Sequence, residues 1–213
     1  MISVFDPPTP SIAELLRQLG DIPPERVRST PYPGTATIAD LLKPENAGCE
    51  LVDGTLVEKP MGQEESFFGG WIFLLISNFA REKNLGYATP GDGFVELPDG
   101  PVRGPDVSFF AWTSLLDGRR PKEPFPRLAP NLVVEVISPS NTKAEMARKR
   151  GEYFRSGVRL YWEFDPSVSS LRVYTAINQY QDLTTSDILD GGSVLPGFAI
   201  PVAELWAELD RHG

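Results

Sequence analysis

One cysteine and one histidine in 213 residues close off much of protein chemistry. Cys49 has no partner within the chain, so an internal disulfide, a cysteine zinc cluster and a CxxC redox pair are excluded. His212 is the penultimate residue, where chain ends commonly fray, so a Ser-His-Asp or Cys-His catalytic arrangement lacks a base. Zinc hydrolases with histidine ligands drop out with it. Long apolar runs are also missing. The longest, Trp71 to Ile76, falls far below the roughly 20 residues that cross a bilayer, and no membrane span is expected. Met1 to Pro10 carries an acid and three prolines but neither a basic segment nor an apolar core, which argues against a secretory signal and for a cytoplasmic protein. Catalysis is left to carboxylates, lysine, tyrosine or serine, and any metal must accept oxygen ligands, as magnesium and manganese do.

There is no overall basic excess either: the formal net charge is -9. Its distribution matters more than its sum. Residues 1–60 hold nine acids and five bases, residues 61–160 twelve and thirteen, and residues 161–213 eight and two. Within the near-neutral centre, Pro139 to Leu160 carries six bases against Glu145 and Glu152, so a local site for a polyanion is compatible with an acidic protein. A solvated helix face would look the same.

The length fits one domain with some ornament, and 41% hydrophobic with 23% charged residues is an ordinary globular composition. Residues 1–36 hold seven prolines around one helix at Ser11 to Leu19, and we read them as an amino-terminal arm. A short helix at Ile38 to Leu42 comes next. Cys49–Val52 and Thr55–Glu58 then flank Asp53-Gly54, a type I′ hairpin signal. Ser66 to Lys83 reads as a helix with a buried face of Phe67, Trp71, Leu74, Leu75 and Phe79, closed by Gly86. Strand candidates at Tyr87–Thr89, Gly93–Leu97 and Val102–Trp112 suggest a meander. After a proline- and arginine-rich loop, Asp117 to Pro130, come the strand Asn131–Ser138 and a helix from Asn141 to Ser156 with Gly157 at its carboxyl cap. Strands at Arg159–Phe164, Leu171–Thr175 and Gln179–Leu183 and a helix after Pro201 complete a mixed sheet with helices on its faces, an α/β (α+β) domain.

Polar residues that break this pattern are the candidates for function. Leu132-Val133-Val134-Glu135-Val136-Ile137 is apolar on both alternating faces except at Glu135, and a carboxylate buried there costs several kcal/mol unless it is paired, protonated or metal-bound. A structural salt bridge to arginine is one answer and a functional site is the other. Asp106 alternates with Ser108 and Phe110. If its strand neighbours that of Glu135, the two acids make a hard oxygen site for a divalent cation; otherwise Asp106 is a turn residue after Pro105. On the helical wheel of Asn141–Ser156, Glu145, Arg148, Glu152, Arg155 and Arg159 fall toward solvent, and Met146, Ala147, Tyr153 and Phe154 toward the core. Lys149 lies at the edge of the buried arc, where it either reaches the end of the preceding strand or snorkels to the surface. Glu50 shares a hairpin face with Val52, Thr55 and Val57, as a third carboxylate or an exposed partner.

Together these segments resemble the bacterial Uma-two family, within the PD-(D/E)xK restriction-endonuclease-like superfamily. The resemblance covers roughly residues 46 to 205. It is carried by Glu50-Leu51-Val52-Asp53-Gly54, Arg103-Gly104-Pro105-Asp106-Val107, Leu132-Val133-Val134-Glu135-Val136-Ile137-Ser138-Pro139-Ser140 and Lys149-Arg150-Gly151-Glu152-Tyr153, and by Gly157-Val158, Tyr161-Trp162, Asp165-Pro166 and Leu195-Pro196-Gly197-Phe198. It implies a restriction-endonuclease-like mixed central sheet flanked by helices, as a single nuclease-like domain at 37–213 that includes the hairpin and follows the arm at 1–36. By this resemblance Pro105-Asp106 is the PD element, Glu135 the following acid and Glu50 a helper carboxylate. The lysine of the motif is absent, since Ile137 stands there, and Lys149 takes its place, with Lys143 as substitute. Where the family often has a histidine near the start of its first long helix, this chain has Ser66.

The expected activity is magnesium- or manganese-dependent hydrolysis of DNA. Asp106, Glu135 and the Val136 carbonyl would hold the metal, and Lys149 and Glu50 would complete the catalytic set. Arg103, Arg148, Arg150, Arg119, Arg120 and Tyr153 would contact substrate beside Lys122, and a homodimer would present two sites to two strands. The alternatives are a catalytically inert interaction module of the same fold and a metal-free carboxylate-pair glycosidase.

Overall fold

The computed structural model describes residues 11–60 and 62–211. Met1 to Pro10, read above for targeting, and His212 lie outside the described residues. The arm contains α1 (Ile12–Gln18), whose Ser11 cap and Glu14 form a reciprocal capping box. After α2 (Ile38–Leu41), the strands β1 (Cys49–Val52) and β2 (Thr55–Glu58) form the hairpin. Asp53 and Gly54 both have positive φ, as a type I′ turn requires. The long helix α3 (Gln63–Glu82) leads to β3 (Gly86–Pro90), β4 (Val95–Glu96), β5 (Val102–Arg103), β6 (Val107–Ala111) and β7 (Leu132–Val136). Helix α4 (Lys143–Ser156) connects β7 to β8 (Leu160–Asp165). The chain ends with β9 (Ser170–Ala176), β10 (Gln179–Leu183), β11 (Ile188–Gly191), β12 (Leu195–Pro201) and α5 (Val202–Leu209).

Six strands form the main sheet in the order β10-β9-β8-β7-β6-β3, antiparallel except for the β7–β8 pair that α4 bridges. One face, with Val107, Phe109, Leu132, Val134, Trp162 and Phe164, packs on α3 and α5. The other, with Phe110, Val133, Tyr161 and Tyr174, packs on Tyr153 of α4. Period-two alternation therefore puts Glu135 under α4.

Four sequence expectations need correction. The meander does not form, because the run Val102–Trp112 breaks at Gly104-Pro105: β5 pairs with β1 and β4 in a four-stranded sheet ordered β2-β1-β5-β4, and β6 joins the main sheet. Proline ends the ladder there because it has no N–H to donate. The buried stripe of α3 is Phe68, Ile72, Ile76 and Ala80, while Phe67 and Leu74 are exposed; residues 67–76 are apolar on nearly every side, so composition alone does not fix the phase. Gly86 begins β3 instead of closing α3, and Asn84 supplies the left-handed residue at the helix end.

The largest correction concerns α4. Glu145 and Glu152, assigned to solvent by the helical wheel, are buried, and Ala147 is exposed. The arm and hairpin cover that side. Arg26 grips Glu145 with two nitrogens, 2.7 and 2.9 Å away, and Arg148 reaches the Gln18 carbonyl. Gly20 approaches so closely that a Cβ there would lie 2.6 Å from the Glu145 backbone. Arg155 and Arg159 are exposed. No helix among the described residues is long and apolar enough to cross a membrane.

Candidate active site

Where β5 and β7 end, two sheets bring their charged residues together under α4. One register step beyond the Leu51–Val102 pair, Glu50 faces Arg103, and the pair closes at 2.6 Å with both side chains buried. The other Glu50 oxygen accepts the Gly104 N–H at 3.1 Å. Arg103 also donates twice to Glu152 Oε2, at 2.6 and 2.8 Å, and Glu152 Oε1 accepts from Arg148, which reaches Asp53 in the hairpin turn. Hairpin, β5 and α4 are thus stitched by alternating charges.

Lys149 is 1% exposed, with its ammonium shared between Glu50, at 3.4 Å, and Glu135, at 3.3 Å. The second oxygen of Glu135 accepts the Tyr153 hydroxyl at 2.7 Å. The two acids are unequally served. Burial would raise the Glu50 carboxyl, but Lys149, Arg103 and the Gly104 N–H outweigh it and hold the group at about 2. Burial also raises Glu135, where Lys149 offsets only part of the effect and the charges of Asp106 and Glu50 push further up, to about 7. For Lys149, burial lowers the pKa, but its two carboxylates prevail and shift it upward, so the ammonium stays charged at neutral pH. Burial, and then Glu135, raise Tyr153 well above its ordinary range, which keeps its hydroxyl a donor.

Asp106 lies just before β6, whose first residue Val107 pairs with Val134 of β7, the neighbour of Glu135. Its Oδ2 accepts the Val136 N–H at 2.7 Å. Its Oδ1 is 2.8 Å from the ammonium of Lys59, which also donates to the Gly91 carbonyl at 3.1 Å. Asp106 opens on a pocket of about 550 Å³ whose lining includes Lys59, Glu65, Ser66, Gly69, Asp92 and Phe94. Among the described residues no group of three or more His, Cys, Asp or Glu side chains forms a ready-made metal cage. The donors at Asp106 and Glu135 are hard oxygens, the kind that hard divalent cations accept.

The expected substrate contacts divide sharply. Arg103 and Tyr153 are buried, and their polar groups are engaged by Glu50, Glu152 and Glu135. Arg148 spans Glu152 and Asp53. Arg150 lies 3.6 Å from Glu163 and over the Tyr174 ring. Arg119, Arg120 and Lys122 are exposed and line a separate cleft of about 880 Å³ with Arg127. Lys143 is exposed at the start of α4. Sequence reasoning missed Lys59. Its signal was the hairpin register: the Lys59 N–H bonds the Gly48 carbonyl, which extends the ladder by one step and puts Lys59 on the face of Val57 and Glu50.

A family model described as "Putative restriction endonuclease" and named Uma2 matches residues 37–203. The chain belongs to the Uma2 family. The fold agrees with a crystal structure from Anabaena variabilis ATCC 29413 described as "a putative nuclease belonging to DUF820". At 18% identity the two superpose with a TM-score of 0.70 over 81% of this Uma2 chain and 96% of that one. Comparison with curated proteins finds no match.

The unequal treatment of the two glutamates has a measurable consequence. A carboxyl whose folded pKa is raised contributes stability that is complete below the unfolded value of 4.5 and lost as pH rises through about 7. In metal-free buffer, Glu135→Gln should therefore gain stability relative to wild type between pH 4.5 and 7, by a few kcal/mol at the upper end. Urea midpoints across that range test this, and a constant difference would contradict it.

Proposed function

We propose that this protein is a nuclease that hydrolyses phosphodiester bonds of DNA with a divalent cation, magnesium or manganese, held by Asp106, Glu135 and the Val136 carbonyl. The observation that carries this reading is the placement of Lys149: the motif position at Ile137 lacks a lysine, yet an ammonium from α4 lies against the acid of β7. When bound, the cation would polarise the scissile phosphate and lower the pKa of an attacking water.

The protein's own groups have separable tasks. Lys149, charged and buried, cannot act as a general base at neutral pH; it offsets negative charge developing on the phosphoryl oxygens or orients water by donating to it. Glu50, fully buried and bound by Arg103, Gly104 and Lys149, positions Lys149. Tyr153 orients Glu135 through its hydroxyl. Arg119, Arg120 and Lys122, exposed on one loop, would meet flanking phosphates, so affinity for DNA should fall with salt.

Wild-type protein should nick supercoiled DNA with magnesium or manganese and stop in chelator. Activity that persists in chelator would overturn the metal-dependent reading. The ion pairs already made by Asp106 and Glu135 favour a second reading, an inert module of the same fold. Such a module would show no magnesium binding by calorimetry that is lost in Asp106→Asn.

A further inference from the structure

Lys59 has no place in the mechanism above, yet it holds the position on Asp106 that a cation would take. We propose that Lys59 is a tethered cation that neutralises Asp106 when no divalent ion is bound and that an incoming divalent ion must displace. This rests on the reading that Asp106 binds the metal.

Three observations support it. The Lys59 ammonium has a built seat, 2.8 Å from Asp106 Oδ1 and 3.1 Å from the Gly91 carbonyl, with the lysine side chain only 10% exposed. The ammonium sits close against Gly91, where a Cβ would lie 3.0 Å from it. The backbone of Lys59 is fixed by its N–H bond to Gly48, so the side chain is the part free to move. An ammonium and a divalent ion on one carboxylate oxygen would stand within about 4 Å of each other, and their repulsion sets the two occupants in competition. The displaced ammonium has somewhere to go: the adjoining pocket of about 550 Å³ is lined by Glu65 and Asp92. Each binding event therefore exchanges one cation for another on Asp106, which raises the concentration of metal needed to fill the site.

Two measurements on the full chain test this. The first is acylation of Lys59 by an amine-reactive reagent, followed by peptide mass spectrometry. It should be slow in metal-free protein and several-fold faster with saturating Mn²⁺, since burial and pairing suppress amine reactivity. The second is Mn²⁺ affinity by calorimetry for wild type, Lys59→Met, Lys59→Arg and Asp106→Asn. Lys59→Met should bind about tenfold more tightly, Lys59→Arg no more tightly than wild type, and Asp106→Asn hardly at all. If wild type binds Mn²⁺ and Lys59→Met binds no more tightly, or Mn²⁺ leaves the acylation rate unchanged, the tethered-cation proposal fails while the nuclease reading stands. If folded wild type and folded Lys59→Met both fail to bind, the metal seat on Asp106 falls, and both readings with it.

Discussion

Arg103→Met is expected to cost about 3–5 kcal/mol of folding stability, the range seen when one partner of a buried ion pair is removed. Arg103 is 3% exposed and is shared by Glu50 and Glu152, so its loss takes one cation from each of two buried carboxylates, leaving Glu50 to Lys149 and Gly104 and Glu152 to Arg148. The damage spreads along the network, because Glu152 also anchors Arg148 and, through it, the hairpin turn at Asp53. Against the roughly 5–15 kcal/mol that holds a typical domain together, such a loss is large. Urea denaturation of the variant checks the size, and the triple variant Arg103→Met, Glu50→Gln, Glu152→Gln checks the cause. Neutral partners should restore much of the loss, since the penalty comes from unpaired charge. A single variant within 1 kcal/mol of wild type would show that the network is solvated.

Lys149→Met is expected to slow DNA nicking by about a hundred- to a thousandfold, the usual effect of removing one preorganised charge from a reacting site. Methionine keeps much of the volume and length of the stem but leaves Glu50 and Glu135 without their shared cation, so rates are compared once a thermal transition shows the variant folded. The loss should appear in kcat with little change in KM, because on the proposed mechanism the buried ammonium meets charge that develops only in the transition state. Lys149→Arg keeps the charge in a broader, planar group and should recover only part of the rate. If Lys149→Met raises KM alone, the lysine binds substrate and does not assist the chemistry.

The acids and the lysine were legible in the sequence because each breaks a local pattern. Glu135 interrupts an apolar strand, Asp106 follows a proline at the head of another, and Lys149 sits at the edge of a helical arc. Local pattern reports which face a residue occupies but not which element covers that face. The helical wheel therefore sent Glu145 and Glu152 to solvent, since it contains nothing about Arg26 or Arg103 arriving from elsewhere in the chain. Arg103 and Tyr153 were read as substrate contacts for the same reason: a charge or hydroxyl beside a motif looks available until its partner is seen. The break of Val102–Trp112 into two sheets was signalled by Gly104-Pro105, whereas Lys59 was missed because its partner Asp106 lies in a distant part of the chain.

The most direct measurement compares wild type, Asp106→Asn and Glu135→Gln in nicking of supercoiled DNA with Mg²⁺, each shown to be folded by its thermal transition. Wild type should nick and each variant should lose at least about a hundredfold of that rate, since each removes one proposed ligand of the divalent ion. Equal rates in all three folded proteins would contradict the site.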